Sequence, residues 1–193
     1  TAEFVRVNII CIHNYLHKFI FLLAILNFSC YNVLTTHIKG VFKHMRIIVI
    51  SDTHGNYDAL ETVFLRNSDA DWFIHLGDGE RELDSFITYN PAFERKIIHV
   101  AGNCDYNSLS HEQFVLPAAY CKIFATHGHT YGVKSSLEGV KKAAKEYGCN
   151  IILYGHTHER LIKFEDGFYI MNPGSASCPR DGKAPSFGNI DIS

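Results

Sequence analysis

Five times after Met45, an apolar run stops at a glycine-containing polar turn that carries Asp, Asn or His. Arg46–Ile50 ends on Ser51-Asp52-Thr53-His54-Gly55, Trp72–Leu76 on Gly77-Asp78-Gly79, and Lys96–Ala101 on Gly102-Asn103-Cys104-Asp105. Tyr120–Ala125 ends on Thr126-His127-Gly128-His129, and Asn150–Tyr154 on Gly155-His156-Thr157-His158. Short β-branched runs without a helical period read as buried strands. Tyr57–Leu65 has apolar residues at helical spacing with Asn56 as its cap, Glu80–Tyr89 reads as a polar helix, and Ser135–Tyr147 as an amphipathic one with Lys141 outward. Strands alternating with helices predict a layered α/β sheet with ligands at the carboxyl ends of its strands.

The second half is richer in strands. Phe114–Leu116 joins the Tyr120 strand near Pro117, Leu161–Phe164 and Phe168–Met171 flank a Glu165-Asp166-Gly167 hairpin, and Asn172-Pro173-Gly174-Ser175 is a rigid turn. No repeat, low-complexity stretch or long linker divides the chain.

Residues 1–44 have a different character. Phe19–Leu26 is a solid apolar run, short of the roughly 20 residues a helix needs to span a bilayer. Asn27-Phe28-Ser29-Cys30 is not a small-x-small cleavage site. The first methionine is Met45, directly before the first site-bearing strand, so 1–44 is expected to be a leader or upstream extension outside the fold and 45–193 the domain. A membrane partner enters only if that leader is an anchor. At the other end, Ser186–Ser193 reads as a strand that stops before a returning partner, which predicts a truncated last strand with an unpaired edge.

Composition narrows the function classes. A formal charge of −2 leaves no footprint for nucleic acid or an anionic membrane. The 6 cysteines form no CxxC pair, which fits a reducing, cytoplasmic setting. Histidine, at 12 of 193 residues, is abundant, and much of it falls in the strand-end turns. Those turns offer Asp52, His54, Asp78, Asn103, His127 or His129, His156 and His158. Imidazole and carboxylate without thiolate suit Zn, Mn, Fe or Ni. Asp52 and His54, like His156 and His158, stand two apart, so on an extended backbone each pair points one way. Adjacent glycines would leave room for ions and substrate beside the backbone. Six side chains plus one amide exceed the needs of one tetrahedral ion and suit two ions sharing a carboxylate. His75, His99 and His111 lack such partners and read as structural or exposed.

The ordered set D-x-H, GD, GN-x-D, HGH and GHTH resembles the calcineurin-like metallophosphoesterase superfamily. Gly-Asn-Cys-Asp at 102–105, Thr-His-Gly-His at 126–129 and Asn-Pro-Gly-Ser at 172–175 resemble its compact YfcE-type phosphodiesterase branch. The resemblance implies a four-layer α/β/β/α sandwich with two central mixed β-sheets. It also implies a metal-dependent phosphodiesterase that hydrolyses small phosphate esters through a hydroxide bridging two divalent ions, Mn before Ni, Zn, Fe or Mg. Carried over by position, Asp52, His54, Asp78 and His158 hold one ion. Asp78, Asn103, His127 and His156 hold the other, and Asn103 also meets substrate. Where many members have histidine after the Gly-Asn, this chain has Cys104, a poor hydrogen-bond donor with an ordinary pKa of about 8.5. Leaving-group protonation then falls to Cys104 or to His129, and diesters with good leaving groups are the expected substrates. The alternative is a non-catalytic protein-binding scaffold of the same fold, as in a retromer subunit of eukaryotes. A homo-oligomer is compatible with either.

Overall fold

The computed structural model describes residues 5–11 and 44–192. Its strands are β1 (Val5–Cys11), β2 (Met45–Ile50), β3 (Trp72–His75), β4 (Ile97–His99), β5 (Gln113–Ala118), β6 (Cys121–Thr126), β7 (Ile151–Tyr154), β8 (Arg160–Glu165), β9 (Phe168–Pro173) and β10 (Ser186–Ile192). Its α-helices are α1 (Tyr57–Arg66), α2 (Glu80–Tyr89) and α3 (Glu138–Glu146). One sheet runs β1-β10-β2-β3-β4 and the other β5-β6-β7-β9-β8. Each is mixed: β2, β3 and β4 are parallel while β10 runs against β2, and β6, β7 and β9 are parallel between antiparallel β5 and β8.

Alternation along the strands explains the layering. On β2, Ile47 and Val49 face the second sheet and pack with Ile123, Ala125, Ile151, Leu153 and Met171. Ile48 and Ile50 face the other way, onto Leu60, Val63 and Phe64 of α1 and Leu83 and Phe86 of α2. The outer face of the second sheet, through Phe124, Ile152 and Ile170, is covered by Val140, Ala143 and Ala144 of α3. The central strands of both sheets are therefore buried on both faces, which is why they read as unbroken apolar runs. The result is the four-layer α/β/β/α sandwich.

Several local expectations change. Val5–Cys11, within the segment read as lying outside the fold, forms a strand parallel to β10. β10 also pairs with β2, so it has neighbours on both sides rather than an open edge. The Phe19–Leu26 run lies outside the described residues, and no described helix is long and apolar enough to cross a membrane. Pro117 sits within edge strand β5, opposite Lys122, where its missing N–H costs no ladder bond, and the β5–β6 turn falls at Ala119 (φ 54°). β4 is only three residues long because Pro91–Lys96 forms a 3₁₀ turn before it. Lys141 is buried rather than outward, paired at 2.8 Å with Asp166 of the β8–β9 hairpin, which ties α3 to that hairpin. At α1, Asn56 Oδ1 accepts from the Ala59 N–H at 3.1 Å, the expected cap.

Candidate metal centre

Parallel strands from both sheets deliver their carboxyl ends to one place. Asp52 and His54 follow β2, Asp78 follows β3, and Asn103 follows β4, all on the first sheet. His127 follows β6, and His156 and His158 follow β7, on the second. Asp52, His54, Asp78, His156 and His158 all have positive φ, between 43° and 67°. The paired residues thus converge by left-handed turns rather than along an extended backbone, correcting the period-two argument.

Two groups of ligand atoms meet at one carboxylate. Around the first, His158 Nε2 lies 3.1 Å from Asp52 Oδ1 and 3.1 Å from His54 Nε2, while His54 Nε2 is 3.7 Å from Asp78 Oδ2. Around the second, His127 Nε2 lies 3.5 Å from Asp78 Oδ2, 3.1 Å from Asn103 Oδ1 and 3.2 Å from His156 Nδ1. Asp78 Oδ2 belongs to both. For ligand bonds of about 2.1 Å, the edges of a tetrahedron or octahedron are about 3.0–3.4 Å long, which is where most of these separations fall. Among the described residues Asp52 Oδ1 is buried with no hydrogen-bond donor beside it other than the His158 ring. An orphaned carboxylate oxygen beside imidazole nitrogens is costly unless a cation sits among them. The donor set fits divalent ions.

A second layer of contacts aims these atoms. His127 Nδ1 donates to the Leu76 carbonyl at 2.7 Å and His158 Nδ1 to that of Cys178 at 2.8 Å, so both rings turn Nε2 inward. Asp52 Oδ2 accepts from Ser51 Oγ at 2.6 Å and from the His156 N–H at 3.1 Å, leaving Oδ1 for the site. The Cys104 N–H donates to Asp78 Oδ1 at 2.7 Å, and Oδ2 is left facing both groups. Glu82 is buried and takes Thr53 Oγ1 at 2.6 Å and the Gly55 N–H at 2.7 Å, which pins the turn carrying His54.

The hub of this layer is Asp105. Its Oδ2 accepts from the Asp78 and Gly102 N–H groups, each at 2.8 Å, and its Oδ1 from Gly79 at 2.9 Å and Glu80 at 3.0 Å. One carboxylate therefore locks the turn after β3 to the turn after β4. A Cβ at Gly102 would overlap Asp78 Oδ1, and one at Gly77 (φ 92°) would lie 2.6 Å from the Gly102 nitrogen. These two glycines make room for the neighbouring turn rather than for ligand, a correction to the expectation above.

The electrostatics follow. Hydrogen bonding to the Asp52 carboxylate outweighs burial and lifts His158 to about 9, so a proton and a cation compete for the same nitrogen. Burial and the neighbouring His127 push His156 down to about 4, which leaves its nitrogen free to coordinate. Burial would raise Asp78, but His127 and the Cys104 N–H hold it well below the usual carboxylate range. Burial and the Asp78 charge push the Cys104 thiol up to about 11. His129 starts a 3₁₀ turn, with its ring 5.4 Å from that of His127 and 6.1 Å from that of His156. Its Nδ1 is buried without a hydrogen-bond partner among the described residues, and burial lowers its pKa.

His75 and His99 lie behind the site as structural histidines. His75 is fully buried, accepts from the Gly77 N–H at Nδ1 (3.2 Å) and faces Thr53 Oγ1 at 3.2 Å. Its burial drives its pKa down to about 3, so it is a neutral spacer behind the site. His99 Nε2 faces Asp105 Oδ2 at 3.7 Å. Beside the ligand groups opens a cleft of about 610 Å³, reaching from His54 and Asp78 past Cys104 to Tyr57, Arg81 and Tyr106.

Residues 45–193 match the family model described as the calcineurin-like phosphoesterase superfamily domain. The probable metallophosphoesterase YsnB of Bacillus subtilis is 36% identical over 77% of this chain and 85% of its own length. The phosphodiesterase YfcE of Escherichia coli K12 is 30% identical over 76% of this chain and 88% of its own. A predicted phosphoesterase of Streptococcus pneumoniae superposes with a TM-score of 0.69 at 32% identity, over 79% of this chain and 85% of that one. The Vps29 of Chaetomium thermophilum shares the fold at a TM-score of 0.60 and 18% identity, over 71% of this chain and 76% of its own.

Proposed function

The chain belongs to the calcineurin-like phosphoesterase superfamily, and on that footing we propose that it is a metal-dependent phosphodiesterase with a dinuclear centre. The observation that carries this reading is the double use of Asp78 Oδ2, 3.7 Å from His54 Nε2 on one side and 3.5 Å from His127 Nε2 on the other. Asp52, His54, Asp78 and His158 would hold one ion, and Asp78, Asn103, His127 and His156 the other. When bound, two divalent ions supply Lewis acidity, lowering the pKa of a coordinated water and offsetting charge on phosphoryl oxygens. The mixed oxygen and nitrogen donors accept Mn, Ni, Zn, Fe or Mg, and the family resemblance puts manganese first among them.

The chain's own part is orientation and proton handling. Asp105 and the Cys104 N–H fix Asp78, and the Leu76 and Cys178 carbonyls fix the tautomers of His127 and His158. Asn103 would share its amide between ion and phosphate oxygen. Leaving-group protonation is the weak part of the design. A thiol at about 11 surrenders its proton poorly near neutral pH, and His129, lowered by burial, holds one poorly. Small diesters with acidic alcohols, such as aryl esters, are therefore the substrates we assign. Cys104→His is expected to raise turnover of alkyl esters by about 10²-fold and to change aryl esters little. Equal effects on both classes would remove the leaving-group argument.

The deciding experiment strips the protein of metal and adds back Mn, Ni, Zn, Fe or Mg while following hydrolysis of a bis-aryl phosphodiester. Expected are a metal-dependent rate and its loss in His156→Ala. A folded sample with no metal-dependent rate would sink the proposal in favour of a protein-binding scaffold, which needs no convergent ligand atoms.

A further inference from the structure

The cleft beside the ligand groups holds more acid than a phosphate-binding surface should, with Glu80, Glu82 and Asp105 all on its wall. Each of these carboxylates is already engaged. Glu80 Oε1 accepts from Ser108 Oγ at 2.7 Å, Glu82 Oε1 from Thr53 and Gly55, and both Asp105 oxygens from backbone N–H groups. They hold the wall in shape and have little left to offer a ligand.

Two long side chains on the same wall are uncommitted. Arg81, on the first turn of α2, is exposed, and its guanidinium makes no ion pair or hydrogen bond among the described residues. Arg81 is also the one arginine or lysine among the residues that line the cleft. Tyr106 is 85% exposed, with its hydroxyl likewise free of partners among the described residues. Tyr57, which lines the same cleft, is half-buried, with its hydroxyl held by Glu61 at 3.1 Å. Two aromatic rings and an unpaired guanidinium in one recess form a stacking platform with an anion fork.

We propose that this cleft is a specificity pocket for a flat aromatic ester arm that carries a second anionic group. The ring lies against Tyr57 and Tyr106, and the second anion pairs with Arg81. The preferred substrate class is then a phosphodiester with one aromatic, additionally charged arm. This deepens the phosphodiesterase reading and rests on it for which phosphate faces the ligand groups.

Equilibrium binding to the full chain in the presence of Mn²⁺ tests it with thymidine 5′-monophosphate and thymidine 3′,5′-bisphosphate as probes. The wild type is expected to bind the bisphosphate about tenfold more tightly, and Arg81→Ala to erase that difference. Tyr106→Ala is expected to weaken both probes about tenfold, and Tyr106→Phe to restore them. Both side chains are exposed, so thermal midpoints should not move. Equal affinity of wild type for the two probes, or variants indistinguishable from it, would overturn the proposal. The binding pattern without any metal-dependent hydrolysis would keep the pocket and reject the phosphodiesterase. Hydrolysis without the pattern would do the reverse.

Discussion

Asp78→Ala is expected to abolish metal-dependent hydrolysis, by at least about 10³-fold, and to cut the bound metal below two equivalents. Its Oδ2 is the atom that both ligand groups approach, so truncation removes one corner from each. The fold should survive, since the backbone of residue 78 keeps its bond to the Asp105 carboxylate and its carbonyl still accepts from the His54 N–H at 3.0 Å. Metal analysis of the purified variant, beside its rate, checks both halves. A variant that keeps two tightly held ions and near-normal turnover would show that Asp78 is not shared.

Asp105→Ala should act on the scaffold first and on activity as a consequence. Four backbone N–H groups lose their acceptor together. Bonds to a charged group contribute about 1.5–3 kcal/mol each, and the losses overlap. A destabilisation of about 3 kcal/mol is expected, visible as a fall of about 6–12 °C in the thermal midpoint. Asp105→Asn, which keeps the shape but offers one acceptor fewer, should fall between. The effect has a pH signature. Burial alone would raise the Asp105 carboxyl, yet His99 and the backbone N–H groups of Glu80, Gly102 and Asp78 hold it well below the usual range. Its stabilisation is thus complete above the unfolded value of about 3.9 and disappears as pH falls further. Wild type should lose stability in acid more steeply than Asp105→Ala. Parallel acid limbs would contradict the hub.

How much of this could be read in the chain depends on where each signal lies. Strands buried on both faces leave an apolar run, and Ile47–Ile50 or Ile151–Leu153 cannot be missed. The seven ligand candidates were legible because each stands in a glycine-containing turn at the end of such a run. Their supports were not. Glu82 looks like any acid on a polar helix, and only the turn packed above it shows that it is buried. Asp105 stood in the quoted motif, but accepting four backbone N–H groups leaves no imprint on composition. Lys141 was misread for the same reason, since a charged helix face gives no warning of a partner from a distant segment. Val5–Cys11 alternates apolar and polar residues as a strand should, but its pairing with β10 spans most of the chain.

The five ligand positions with positive φ carry a consequence for how this protein can change over time. An L-residue held in the left-handed region costs on the order of 1 kcal/mol relative to glycine. At Asp52, His54, Asp78, His156 and His158 the backbone would be easier with glycine. Mutational drift thus has a downhill direction here, towards a sturdier and inert sandwich. At all five places the proposed ligand role and the local backbone preference pull in opposite directions.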